Sequence, residues 1–159
     1  MNLLSKRVFC TVTFTLLTMF AAGCQAPSKR IYTITDGELY ARVWIDIVRE
    51  NPISKDENIK VTPLFKDKNS SHHIVQINDR EESHIHANHD LTVIVKRGKG
   101  TLHLRDKALP MSAGDVAFIS RGTVHWFVND KKGSPSIAYL IFYPAFDGKD
   151  RRPFSIPQL

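Results

Sequence analysis

At 159 residues, with 42% apolar and 24% charged residues, the chain has the size and make-up of one globular domain rather than a disordered or fibrous protein. Its net charge of +6 is scattered, with no long basic run and no interleaved aromatic stripe, which argues against a nucleic-acid partner. The two cysteines, Cys10 and Cys24, both lie near the N-terminus, so no thiol remains for a disulfide, a thiolate metal site or cysteine catalysis in the domain.

Lys6 and Arg7 precede a mostly apolar stretch from Val8 to Ala22. A basic segment followed by an apolar one of this length reads as a signal peptide. It is short for a membrane-spanning helix, which needs about 20 apolar residues. The stretch ends Phe20-Ala21-Ala22-Gly23-Cys24, which resembles the lipobox of bacterial lipoproteins, with Ala21 where that family usually carries Leu. The resemblance implies that residues 1–23 are removed and that Cys24 is lipidated. Membrane attachment would then be through the lipid anchor only. The expected address is the bacterial cell envelope. Because Gln25 is not Asp, this means the periplasmic face of the outer membrane in a Gram-negative host.

Residues 24–35 read as the lipidated cysteine and a polar tether. Thr35 and Glu38 have capping-box spacing, and Leu39, Val43 and Ile47 follow at helical intervals beside Tyr40 and Trp44. These features predict a short N-terminal helix over 36–52, ended by Asn51-Pro52. After Pro52 the apolar period becomes two. Strands are expected at Ile59–Phe65, Ser71–Asn78, His89–Lys96, Thr101–Arg105, Asp115–Ile119, Val124–Asn129 and Ile137–Tyr143. Many short strands separated by turns such as Gly98-Lys99-Gly100 indicate an all-β sandwich or barrel over 53–159. The polar tail from Phe146 to Pro153 is expected on its surface.

Two histidine blocks fall inside this strand region. His84 and His86 are two apart, so on a strand both imidazoles point to one face. His125 opens another strand after the Arg121-Gly122 turn. Three neutral imidazoles converging in a barrel would hold a divalent transition metal. Fe, Mn, Zn, Ni and Cu all suit such donors, and the ligand set does not choose among them.

Gly114, Ser120, Gly122, His125 and Asn129 follow the spacing of the second cupin motif, with Ser120 in place of its proline. Asn78, His84, His86 and Gly98 follow the first, with Asn78 in place of its opening glycine. From about Ile59 to Tyr143 the chain therefore resembles the cupin superfamily. The resemblance implies a double-stranded β-helix, or jelly-roll, barrel and a carboxylate as fourth metal ligand. Counting back from Gly98 puts that carboxylate at Leu91; counting forward from His86 puts it at Asp90. If Leu91, Val93 and Val95 face inward, His89 shares their face and Asp90 does not, unless a bulge intervenes. Asp90 is the preferred fourth ligand and His89 the alternative. Asp90, if it does not ligate, would instead orient a ligand histidine through a hydrogen bond.

Strand parity puts His73 with Val75 and Ile77, and Phe127 with His125; His73 and Phe127 are the expected pocket-lining residues. His103 should face solvent. Trp126, Val124 and Val128 should form an outer apolar surface, suited either to a homodimer or to the N-terminal helix. The expected partner is a small-molecule ligand or substrate. A metal-dependent enzyme of the dioxygenase or isomerase type is one reading; a noncatalytic periplasmic small-ligand-binding or sensing module is the other. No catalytic pair stands out, so acid or base assistance would have to come from His73, His89 or Asp90.

Overall fold

The computed structural model describes residues 29–155, so the expected signal peptide and Cys24 lie outside the described residues. The chain opens with a hairpin, β1 (Arg30–Thr35) and β2 (Glu38–Val43), joined by Asp36-Gly37. Both turn residues have positive φ, 53° and 82°, as a two-residue primed turn requires, and Asp-Gly is among its preferred sequences. The hairpin takes the first part of the helix expected over 36–52, which begins at Trp44 instead. Thr35 and Glu38 are not a capping box; they face each other across the hairpin. The spacing of Leu39 and Val43 misled because a separation of four is even, and so fits a strand as well as a helix.

Among the described residues, only α1 (Trp44–Glu50) is an α-helix. It buries Ile47 and Val48, and Val48 packs with Ile74 and Ile137. The amide and the side-chain Nδ2 of Asn51 both donate to the Ile47 carbonyl, at 3.1 and 2.9 Å, which closes the last turn before Pro52. Gln76 Nε2 then donates to the Asn51 carbonyl at 2.7 Å, tying the helix end to the barrel.

The rest of the described chain is strand, turn and loop. The strands are β3 (Ile59–Lys66), β4 (Ser71–Ile77), β5 (His84–His86), β6 (Asp90–Arg97), β7 (Lys99–Leu104), β8 (Lys107–Ser112), β9 (Val116–Ile119), β10 (His125–Asn129), β11 (Ser136–Tyr143) and β12 (Arg151–Pro153). They form two five-stranded sheets, ordered β12-β5-β10-β7-β8 and β3-β4-β11-β6-β9, with antiparallel pairing throughout. This is the all-β barrel expected from the strand pattern, in the jelly-roll form that the cupin resemblance implied. Pro110 sits on β8, an edge strand, where a missing amide donor costs no ladder bond. The tail departs from expectation: Arg151–Pro153 is the outermost strand of the first sheet rather than loose surface chain.

The inner faces of the sheets meet in a core that includes Val75, Ile77, Leu91, Val95, Leu102, Met111, Phe127 and Phe142. Each fully buried side chain of this size contributes about 1.5–3 kcal/mol. Helix α1 covers the outer face of the β3-β4-β11 region, through Ile74, Ile137, Leu64 and Tyr139. It therefore does not cover Trp126, which stacks on His103 with ring centroids 4.4 Å apart on the opposite sheet.

Gly98 links β6 to β7 at φ +86°, and a Cβ there would stand 2.8 Å from Ser136 Cα. Only glycine meets both demands. Gly98→Ala is expected to destabilise the barrel by about 3 kcal/mol, combining left-handed strain with overpacking, read as a lowered urea midpoint.

Candidate metal centre

The site is built where β5 and β10 cross the mouth of the barrel. Alternation along β5 sends His84 and His86 to one face, and the pairing of His125 with His84 brings the third imidazole beside them. All three are buried, at 2%, 5% and 3% exposure. One ring nitrogen from each lies within 4.8 Å of the others. His84 Nδ1–H donates to the Glu82 carbonyl at 2.8 Å, and His125 Nδ1–H donates to the Thr123 carbonyl at 2.9 Å. A carbonyl only accepts, so these bonds fix the tautomer and leave both Nε2 lone pairs free. His86 is held between Phe142 and Phe146, edge to face, and its buried Nδ1 has no partner.

Burial, reinforced by the neighbouring His125, pushes His84 down to about 3 and His86 down to about 4. Burial also lowers His125. The three rings are therefore neutral at physiological pH, the form that ligates metal.

The fourth position departs from expectation. Asp90 turns away from the trio; its carboxylate accepts Arg121 N, Nε and Nη2 at 2.9, 3.2 and 2.7 Å. These bonds hold Asp90 down at about 2. The reason is register. β6 pairs with β11 without interruption from Asp90↔Tyr143 through Leu91↔Phe142, so no bulge rotates Asp90 inward. Leu91 takes the inward position and is apolar. His89, the alternative, is buried, but Asp150 Oδ2 lies 2.6 Å from its Nδ1 and the Ala145 carbonyl 3.3 Å from its Nε2. Neither Asp90 nor His89 belongs to the cluster formed by the other three. Asp90→Ala is expected to change stability by less than about 1 kcal/mol, since it removes a partly exposed ion pair, and to leave metal content unchanged by elemental analysis.

Behind the trio lies a cavity of about 170 Å³ between the two sheets. Phe127 lines it, as expected. His73 does not; it sits against the edge of Phe142, with its Nε2 3.0 Å from Ser71 Oγ. The other polar side chains on the wall are Glu81, Ser136 and Arg151. His73, His89 and Asp90 do not line this wall; Glu81 is the one carboxyl on it. Its Oε2 accepts the Phe127 amide at 3.0 Å, and its own amide donates to the Phe127 carbonyl at 2.8 Å. Burial pushes its carboxyl up to about 7 despite the pull of Arg151 and of the Phe127 amide. Sequence reasoning missed Glu81 and Arg151. One lies in a loop and the other in a charged tail, where no periodicity marks an inward side chain.

A jelly-roll barrel with a buried histidine cluster at the mouth of an apolar cavity is the architecture of a small-molecule site. Comparison with known proteins places the likeness in the barrel: the cupin-domain model matches residues 71–142, so this stretch is a cupin domain. An uncharacterised protein of Aquifex aeolicus is 41% identical over 105 residues, spanning 66% of this chain and 84% of that one. Acireductone dioxygenase 1 of Nocardia farcinica is 37% identical over 70 residues, which is 42% of this chain and 36% of that enzyme. Among solved structures, a double-stranded β-helix protein of Klebsiella pneumoniae superposes with a TM-score of 0.55 at 19% identity, covering 67% of this chain and 95% of that one.

Proposed function

We propose that this chain is a cupin that binds one divalent transition-metal ion through His84, His86 and His125 and acts on a small molecule held in the barrel cavity, as an enzyme of the dioxygenase or isomerase type. The observation that carries this reading is the convergence of three buried imidazole nitrogens within 4.8 Å. The donor set fits such an ion. The rings are neutral, two are oriented by backbone carbonyls in the manner of metal-bound histidines, and three protein ligands leave coordination positions open. When bound, the ion supplies a Lewis-acid or redox centre.

The chain's own residues supply the rest. The apolar wall excludes water and orients the bound molecule. Glu81, held at Oε2 by the Phe127 amide, offers Oε1 to take or give a proton near neutral pH. The identity shared with acireductone dioxygenase 1 supports oxygen chemistry, over 36% of that enzyme's length. The Cys24 motif supports a lipid-anchored protein of the bacterial envelope, on the periplasmic face of the outer membrane in a Gram-negative host.

Elemental analysis of the purified chain tests the reading. Near-stoichiometric Fe, Mn, Zn, Ni or Cu is expected, and oxygen-consumption and isomerase screens with that metal follow. A chain that stays metal-free after reconstitution sinks the metal reading and leaves a noncatalytic ligand-binding module.

A further inference from the structure

The charged groups at the cavity are few and unequally placed. Apart from the three histidines, the wall carries one carboxyl, Glu81, one hydroxyl, Ser136, and one guanidinium, Arg151. Ser136 is internally satisfied: its Oγ donates to Asn129 Oδ1 at 2.6 Å. Glu81 is tied to the Phe127 amide. Arg151 differs from both. Among the described residues it has no carboxylate within ion-pair distance, and one Nη2 donates to the Glu82 carbonyl at 3.2 Å. A guanidinium has five N–H donors in a planar fork, so most of this one stays unclaimed.

The backbone that carries Arg151 is nevertheless fixed. β12 pairs with β5 residue for residue, with Arg151 opposite His86 and Pro153 opposite His84. The preceding residue, Asp150, is buried and accepts the Asn88 amide at 2.7 Å as well as facing His89. An arginine on an anchored strand at the rim of an apolar cavity, beside the histidine cluster, is a preorganised receptor for a planar anion. A long flexible cation on a mobile tail would lose more entropy on binding.

We propose that the molecule taken into the cavity is a small organic carboxylate, whose charge is received by Arg151 while its apolar body lies against Phe142, Phe146 and the aliphatic wall. This deepens the proposed function and rests on its reading of the cavity as the ligand site, but not on the metal. The apolar wall selects against strongly hydrated ions such as inorganic phosphate, which have no body to bury. Arg151 acts as a specificity-determining residue, and the histidine cluster lies within reach of the same molecule.

Calorimetric titration of the purified full chain with hexanoate and with hexanamide tests this, both as isolated and after chelation. The two probes share a body and differ in charge. Hexanoate is expected to bind at least about 10-fold more tightly than hexanamide. Arg151→Gln should abolish that preference, and Arg151→Lys should restore part of it. Arg151 is exposed, and its side chain makes a single hydrogen bond, so both variants should melt as the wild type does. Equal binding of the two probes, an undiminished preference in Arg151→Gln, or no binding of hexanoate by either form overturns the proposal. The preference surviving in the chelated chain supports it independently of metal. A wild type that stays metal-free after reconstitution and still shows the preference refutes the metal reading alone.

Discussion

Replacing His84 and His86 together with alanine is expected to remove bound metal from a barrel that still folds. Losing two of three ligands should weaken affinity by about 1000-fold or more, well beyond the 10–100-fold typical of a group that only orients a ligand. The fold should survive because the substitutions orphan little. The Glu82 carbonyl that accepts from His84 also accepts from Arg151 Nη2, so it keeps a partner. The Nδ1 of His86 has no partner to lose. The new space adjoins an existing cavity rather than opening a sealed one. The check is twofold. Elemental analysis should fall from near one equivalent to background, and added metal should raise the melting temperature of the wild type alone. Metal at 100 times its dissociation constant stabilises the native state by about 2.7 kcal/mol, a shift easily seen. A double variant that retained metal would place the site elsewhere.

The second large effect is expected at Asp150. Its carboxylate is 4% exposed and accepts the Asn88 amide at 2.7 Å and Asn88 Nδ2 at 3.1 Å, with His89 Nδ1 at 2.6 Å. Asp150→Ala leaves the buried His89 Nδ1, together with the Asn88 donors, without this acceptor, at an expected cost of about 3 kcal/mol. Asp150→Asn should cost less, since its amide oxygen still accepts. The pH dependence follows from the same contacts. Burial alone would raise Asp150, but the bonds from His89 and Asn88 outweigh it, and its folded-state pKa lies below the ordinary 3.8. A depressed carboxylate stabilises the fold above its unfolded-state pKa, and that contribution fades as pH falls through the folded-state value. Wild type and Asp150→Ala should therefore differ most above about pH 4 and converge in stronger acid. Urea denaturation across that range measures it; parallel curves at every pH would dismiss the assignment.

The sequence made the barrel legible because period two is hard to imitate over eight residues. Leu91, Val93 and Val95 declared which face of β6 was inward, and the H-x-H spacing required His84 and His86 to share a side. The fourth-ligand question turned on a single residue of register, which motif spacing leaves open and pairing with β11 closes. The start of the N-terminal helix was misplaced for a related reason. Apolar residues four apart serve either period, and the Asp36-Gly37 turn signal carried more information than the spacing. Glu81 and Arg151 were illegible in principle from local pattern, because each faces the cavity only through partners distant in sequence: Phe127 for the first, β5 for the second.

The strand β12 has a consequence for when the site exists. β5 has three residues; β10 pairs with one of them, and β12 pairs with all three. Two of the three histidines thus lie on a strand paired chiefly with the one that follows every other described strand in chain order. During synthesis, the strands that bury the core all emerge before it. A nascent or C-terminally clipped chain would contain those strands while His84 and His86 lacked a rigid edge. Rigid placement of His84 and His86 then waits on β12, so the candidate site takes shape only after the core strands have formed.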